Sequence, residues 1–276
     1  MNNNTRYLMF APGENPERRM VMRAVELRTA DGVLRGQVTI DTGPMRLSEL
    51  VPTACELTNV LVTRAGHREK REGRSVSCRA GCGACCRQMV PLSPPEVFYV
   101  ADLVATLKPD LRRLISHRFT KVVDVLEKED LIGQLLDPEY TDEPVLAIAR
   151  TYFGLGLPCP FLLAESCSIH QHRPVACREY NVTSPADWCG DPYNHEIAKI
   201  PMPLPFSAPL ARLTGELTGT KPRLIPLTLA LSWAAENADL RRRTWPGLEL
   251  FEQFMGLLGT APGPVDLPLD RPGSDA

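Results

Sequence analysis

Residues 77–86 read SCRAGCGACC, and four of these ten residues are cysteines in a C-x3-C-x2-C-C spacing. Thiolate is a soft ligand that suits zinc and iron–sulfur centres. Loop cysteines two or three residues apart can converge on one centre, and Gly81 and Gly83 allow the sharp backbone turn that this requires. A row of small buried hydrophobic residues would not explain four thiols this close together beside Arg79 and Arg87. The stretch therefore predicts a metal-binding loop.

A second group of cysteines follows further along the chain, with His170 and His172 inside it. The two groups supply eight thiols, which would satisfy two four-cysteine zinc sites, two four-iron clusters, or one of each, and the spacing does not choose. His170 is either a further ligand, because it lies three residues from Cys167, or a packed histidine; His172 is the weaker candidate. The predicted metal ligands are Cys78, Cys82, Cys85, Cys86, Cys159, Cys167, Cys177 and Cys189.

Cys85 and Cys86 are adjacent, so their side chains point in different directions and seldom bind one mononuclear ion. This arrangement favours two metals, or one ligand and one reserve or bridging thiol. The remaining cysteine, Cys55, lies alone in a helical pattern and is predicted to belong to the core.

Composition limits the class of protein. A chain of 276 residues that is 43% hydrophobic can bury a real core and is not disordered. With 31 basic and 33 acidic residues, the net charge of -2 gives no argument for nucleic acid or an acidic membrane. The N-terminus lacks a secretory signal pattern, and no stretch has the ~18 apolar residues of a membrane span. We expect a cytoplasmic protein, in which clustered cysteines are more often metal ligands than disulfides.

The chain is predicted to be mainly α, with a loop-rich cysteine region and a small N-terminal hairpin. Residues 21–28 and 33–40 alternate loosely around a turn at 29–32. Ser93 and Glu96 form a capping box ahead of the next helix, in which Pro94 takes the first position. A basic run at 64–74 is interpreted as a solvated helix face. The predicted helical regions are 45–73 (one or two helices, with Pro52 at the start of the second), 94–106, a helix opened by Pro109, 143–153, 174–180, 208–217, 225–242 and 248–258.

Four parts follow from this pattern. Residues 1–75 are an appended hairpin and helix, 76–200 a metal-binding domain, 201–260 a helical part with a proline-rich linker at 201–209, and 261–276 a disordered tail.

The cysteine motifs resemble those of the CxxCxxCC family, also called the YkgJ-type zinc- or iron-chelating domain. The resemblance covers residues 78–190 and rests on the first cysteine group and three later motifs. One departure is that three residues separate Cys78 from Cys82, where the family usually has two, and Cys189 resembles a late cysteine of many members. The later motifs are Cys159-Pro160-Phe161-Leu162, Cys167-Ser168-Ile169-His170 and Arg173-Pro174-Val175-Ala176-Cys177-Arg178.

The resemblance implies chelation of zinc or iron, including a [4Fe-4S] centre, through these cysteines. It also implies an enzymatic relative, since FliB-type flagellin lysine N-methylases carry a similar cluster and use S-adenosylmethionine. No glycine-rich loop for that cofactor is present, because Gly154-Leu155-Gly156 is too short. Three hypotheses follow: a metal-binding protein without catalysis, an iron–sulfur enzyme acting on a protein substrate, and a zinc-stabilised module that binds a protein partner.

Residues next to the second group suggest supporting roles. With Pro174 at the first helical position, Cys177 falls in the first turn, where the helix dipole stabilises a thiolate. Arg178 is predicted either to contact the metal centre, through a sulfur or a carboxylate, or to pair with Glu179 or Glu165. Residues expected to pack around the site are Tyr180, Trp188, Phe161, Leu162 and Leu163.

Overall fold

The computed structural model describes residues 20–29, 31–137 and 142–258. These residues form ten α-helices and four antiparallel strand pairs, which confirms the predicted mainly α class. The helices are α1 (Val51–Arg71), α2 (Pro94–Thr106), α3 (Pro109–Lys128), α4 (Ile132–Leu135), α5 (Asp142–Gly154), α6 (Val175–Glu179), α7 (Ser207–Thr218), α8 (Ala230–Glu236), α9 (Ala238–Arg242) and α10 (Gly247–Leu258). The strands are β1 (Met20–Thr29), β2 (Gly32–Asp41), β3 (Pro44–Arg46), β4 (Pro91–Leu92), β5 (Leu162–Leu163), β6 (Ser166–Cys167), β7 (Ile225–Pro226) and β8 (Thr244–Pro246).

The predicted N-terminal hairpin is confirmed as β1 paired with β2. Two arginines of α1 fasten its turn: Arg68 Nη1 lies 2.7 Å from the Asp31 carboxylate, and Arg64 donates to the Asp31 carbonyl. The basic run is therefore only partly the solvated face that the sequence suggests. These contacts hold the hairpin on the first helix.

Local signals set the starts of the two central helices. Ser93 N donates to Glu96 Oε2 over 2.9 Å, which completes the predicted capping box, and α2 begins at Pro94. Helix α3 begins at Pro109 as predicted, because proline favours the first helical turn. Helix α1 starts at Val51 after a 3-10 turn, with Pro52 in its first turn.

The single helix predicted at 225–242 is wrong. Residues 225–226 form β7, which pairs with β4 so that Pro91 lies opposite Pro226. A 3-10 turn follows, and the rest is split into α8 and α9 at Asn237, whose side-chain Nδ2 donates to Trp233 O over 2.9 Å. An asparagine that bonds to the preceding turn competes with continued helix.

Smaller differences concern short elements. Helix α6 begins at Val175, so Pro174 precedes the helix and does not occupy its first position. Helix α4 was not predicted from the sequence. The disordered tail predicted at 261–276 lies outside the described residues.

One hydrophobic core runs from the hairpin to α10, with α2 at its centre. Phe98 of α2 is fully buried, and the centre of its ring lies 5.5 Å from that of Trp233. Phe206 and Phe254 are also buried and pack against each other near α7 and α10. The division into four parts stays a prediction. Among the described helices none is long and apolar enough to cross a membrane.

Candidate metal centre

The first cysteine segment (residues 77–90) leaves α1 and folds into consecutive tight turns. Cys82 N donates to Arg79 O over 3.1 Å, and Cys86 N donates to Gly83 O over 2.9 Å. Gly81 has a φ of +86°, a conformation that other residues seldom adopt, which is the reason for glycine at this turn. The turns place four thiols on a short, folded piece of chain.

The second cysteine segment (residues 159–200) is built from a tight hairpin, the short helix α6 and a 3-10 turn. Cys167 lies on β6, directly opposite Leu162 of β5. The connecting residues Ala164 and Glu165 both have positive φ angles, 47° and 58°, as a two-residue hairpin turn requires. Arg118 of α3 stabilises this hairpin by donating a hydrogen bond to the carbonyl of Leu162.

The two segments meet through their backbones. Cys159 N donates to Cys86 O over 2.7 Å, and Gln88 Nε2 donates to Cys189 O over 2.8 Å. Gly83 packs so closely on the hairpin that an added Cβ would lie 2.5 Å from the Glu165 carbonyl oxygen. Because the two cysteine segments approach each other so closely here, only glycine fits at position 83.

A charged contact fastens the same junction at the surface. Arg87 Nη2 and Nη1 lie 2.8 Å and 3.0 Å from the two carboxylate oxygens of Glu165. The pair is bidentate, which adds geometric specificity to a partly exposed ion pair. The structure thus places both cysteine groups side by side, and all nine cysteines of the chain are free thiols.

Packing divides the thiols. Cys159 and Cys167 pack against the main hydrophobic core. Cys189 is buried in a second, small cluster, against which Cys78 and Cys85 pack. The two groups seen in the sequence are therefore not the two groups seen in space, because Cys189 joins the thiols of the first segment.

The thiol pKa values show the same division. Burial raises the pKa of most of these thiols, to about 11 for Cys189 and about 12 for Cys159. Neighbouring thiolates raise them further: Cys78 and Cys82 act on Cys189, whereas Cys159 and Cys167 act on Cys177. The negative charge of the Cys85 thiolate raises the pKa of thiols in both cysteine segments. The thiols whose pKa it raises are Cys78, Cys86, Cys159, Cys167, Cys177 and Cys189.

Cys85 and Cys86 are joined by a hydrogen bond. The bond from the Cys86 thiol lowers the pKa of Cys85 to about 7, and the same bond raises the pKa of Cys86. The pKa of Cys86 is also raised by Cys159 and Cys167, so Cys86 belongs with the thiols of the second segment. The hydrogen bond therefore favours the thiolate form of Cys85.

Arg173 is a cation that acts on several of the thiols. Burial is the largest effect on Cys78, Cys167 and Cys177 and raises their pKa values, while the charge of Arg173 lowers them. At Cys85 the hydrogen bond from Cys86 is the largest effect, and it and the Arg173 charge both lower the pKa. Arg173 Nε donates to His170 O over 3.2 Å, and within the described residues Arg173 has no carboxylate partner. A cation left unpaired beside several thiols favours their anionic form.

The ion pair predicted for Arg178 does not form among the described residues, and its contact with a metal centre stays a prediction. Arg178 Nε donates to Arg173 O over 2.7 Å, and its Nη1 donates to the Asn59 side chain over 2.9 Å. It therefore stabilises the turn before α6, and nothing in the sequence distinguishes the roles of Arg173 and Arg178. Burial raises the pKa of Glu179 to about 8, and Glu179 accepts a hydrogen bond from Phe206 N over 2.8 Å.

Glu96 has a role beyond the capping box. Its Oε1 accepts a hydrogen bond from Val175 N over 2.8 Å, so one fully buried carboxylate holds the starts of both α2 and α6. Helix α6 carries Cys177 two residues later. The sequence reveals the cap but not this second partner, because Val175 is far from Glu96 along the chain.

The predicted packing residues lie where expected. Phe161 and Leu162 are buried, while Leu163 is only half-buried. Tyr180 and Trp188 pack against the second cluster, and Trp188 stacks on His195 at 5.0 Å between ring centroids. Cys55 is buried in the core as predicted.

The two candidate histidines differ in their surroundings. Burial and the charge of Arg173 lower the pKa of His170, which keeps its ring in the neutral form that metals bind. His172 Nδ1 lies 3.0 Å from the Tyr99 hydroxyl. Whether His170 is a ligand stays a prediction.

Among the described residues, no three His, Cys, Asp or Glu side chains are arranged to hold a metal ion. The donor set nevertheless fits a soft metal, since eight half-buried or buried thiols lie next to one another.

Comparison with known proteins gives one match. Residues 77–199 match the CxxCxxCC family model, whose description is "putative zinc- or iron-chelating domain". No curated protein and no solved structure matches the chain. The resemblance drawn from the motifs is thereby confirmed, and the matched segment holds all eight clustered cysteines.

Proposed function

We propose that this protein chelates zinc or iron through eight cysteines that form two four-thiol sites. The observation that carries the proposal is the contact between the two segments, in which Cys159 N bonds to Cys86 O and Cys85 acts electrostatically on thiols of both. The first thiol set is Cys78, Cys82, Cys85 and Cys189. The second thiol set is Cys86, Cys159, Cys167 and Cys177.

The grouping agrees with the chemistry of adjacent cysteines. Cys85 packs on the small cluster with Cys189, whereas Cys86 is influenced by Cys159 and Cys167. Two neighbouring thiols that face different partners can serve two metals. Four thiolates complete either a tetrahedral zinc site or a four-iron cluster, so each set has the right number of donors.

A metal bound in these sets supplies folding energy by joining distant segments. A zinc ion with four thiolates carries two net negative charges, and Arg173 is placed to offset part of that charge. Because most of the thiols have raised pKa values, they are protonated near pH 7 before metal binds. Metal binding should therefore release about one proton for each such thiol.

Metal and sulfide analysis tests the proposal. Protein prepared without oxygen should contain about two zinc ions per chain, or about eight iron atoms with as many acid-labile sulfides, or one centre of each kind. Protein that contains neither metal would contradict the proposal. Brown colour with broad visible absorbance would identify iron–sulfur.

Single substitutions test the division into two sets. Cys189→Ser and Cys177→Ser should each remove one of the two centres, and the double variant should remove both. Cys55→Ala is the matched control, because Cys55 is buried in the core and belongs to neither set. Loss of all metal in either single variant would show one shared centre instead of two.

The alternative of an iron–sulfur lysine methylase rests on the resemblance alone, and that of a zinc-stabilised module rests on the helical C-terminal part as a surface for a protein partner. Titration with S-adenosylmethionine separates the first from simple chelation, because only the enzyme needs that cofactor.

A further inference from the structure

A cavity of about 350 Å³ lies beside the thiols but is not lined by any of them. Helix α5 forms part of its wall through Val145, Ala149 and Phe153, which share one helix face. Leu224 and Pro226 add further apolar surface. A cavity of this size with a mostly apolar lining is typical of small-molecule sites.

A second cavity of about 330 Å³ adjoins the first, and both are lined by Met89, Tyr180 and Lys199. The second cavity reaches Cys85 and Cys177, one from each thiol set. A ligand in the first cavity would therefore lie next to the metal-binding region.

Lys199 supplies a positive charge at this boundary, and Glu179, the acidic residue that lines the second cavity, has its pKa raised to about 8 by burial. Lys199 Nζ lies 5.7 Å from the centre of the Tyr180 ring, and within the described residues no carboxylate is close enough to form an ion pair with it. Arg150 stacks over Tyr193, another residue of the first cavity, at 5.0 Å, again without an ion-pair partner in the described part of the chain. No acidic residue lines the first cavity.

We propose that the first cavity binds an amphipathic organic anion, namely an apolar chain or ring that carries one carboxylate. Its carboxylate pairs with Lys199, and its apolar part lies against the α5 face and Leu224. The ligand carboxylate forms an ion pair with Lys199, and the apolar part of the ligand buries the apolar side chains of the cavity wall. The ligand contacts no thiol, but Tyr180 and Lys199 belong to the second cysteine segment, so the inference rests on the proposed function to the extent that metal holds this segment folded, and the protein is tested as purified.

Three probes of equal chain length separate the contributions: decanoate, decanol and decyltrimethylammonium. Calorimetric titration of the full-length protein should give one decanoate per chain, weaker binding of decanol, and the weakest binding of the cation. Equal binding of all three, or no binding of decanoate at millimolar concentration, would overturn the proposal.

Two variants locate the site. Lys199→Gln should weaken decanoate binding about three- to tenfold and leave decanol unchanged, since it removes only the charge. Ala149→Trp should weaken both probes by filling the cavity. Lys121→Gln is the control, because Lys121 is an exposed lysine of α3 outside both cavities. Lys199 is exposed, so its variant should fold even if the tryptophan variant does not, and unchanged decanoate binding in Lys199→Gln would refute the assignment.

Discussion

Replacing Glu96 with glutamine tests the central support of the site. The Glu96 carboxylate is fully buried and accepts three hydrogen bonds, from Ser93 N at 2.9 Å, Ser93 Oγ at 2.7 Å and Val175 N at 2.8 Å. Burial raises the pKa of Glu96, and these donors oppose the rise. Glutamine has the same shape but supplies one acceptor oxygen, so it can keep the bonds of one partner only.

The magnitude follows from the lost contacts. If the amide oxygen stays with Ser93, the amide nitrogen faces Val175 N, and two buried donors lack an acceptor. Each buried unsatisfied group destabilises the fold by ~1–3 kcal/mol. Removal of the buried carboxylate charge offsets part of this destabilisation. We expect the free energy of unfolding to fall by about 2–4 kcal/mol in Glu96→Gln. For a chain of this size that lowers Tm by roughly 5–15 °C.

Urea unfolding followed by circular dichroism measures this change, with and without zinc. Glu127→Gln is the control, because Glu127 is exposed on α3. Val175 begins the helix that carries Cys177, so Glu96→Gln should also weaken zinc binding. A loss of the α2 cap alone would lower stability without changing zinc binding. A free energy of unfolding within about 0.5 kcal/mol of wild type would refute the reasoning.

Four further predictions follow. Arg173→Gln should weaken zinc binding several-fold and Arg173→Lys should recover much of it, as measured by competition with a chromophoric chelator; equal affinities would remove Arg173 from the site. Gly83→Ala should destabilise by ~1–3 kcal/mol in thermal unfolding, because its Cβ would meet the Glu165 carbonyl, whereas Gly133→Ala, an open position, should not. The hydrogen bond from Arg74 lowers the pKa of Glu69, so this carboxylate stabilises the fold above its ordinary pKa of 4.5 and loses that effect as the pH falls through its lowered value. Glu69→Gln should therefore cost ~1 kcal/mol at pH 7 and almost nothing once wild-type Glu69 is protonated; a difference that does not depend on pH would contradict the ion pair. Chelator treatment should speed hydrogen exchange first in the two cysteine segments and leave α2 protected, and a uniform increase would count against metal-held segments.

Sequence predicted those parts of the fold that local chemistry decides. Ser93 with Glu96 marks the start of α2, and Pro109 marks the start of α3, because caps and first-turn prolines act within one turn of helix. The predicted helix at 225–242 failed because its first residues pair with β4, a strand far away in sequence. Nothing within that stretch reveals that partner.

The candidate site shows the same limit. Cysteine spacing predicts eight ligands but leaves their grouping open, whereas in the structure Cys189 packs with Cys78. Arg173 and Arg178 look alike in sequence, yet only Arg173 faces several of the thiols. Which thiol or cation has which neighbour depends on how the segments pack, and spacing along one segment does not contain that information.

The first thiol set lies against the smaller of the two hydrophobic clusters. The small cluster around the first thiol set has three buried members, Val182, Cys189 and Ile197. So few buried side chains offset little of the backbone entropy that is lost when residues 180–200 are ordered. Backbone bonds such as Ser77 N to Val182 O at 2.9 Å add stability, and a structural zinc site would supply folding energy directly. Under the proposed function, chelation therefore stabilises this region, while α2 and its neighbours rely on their own core.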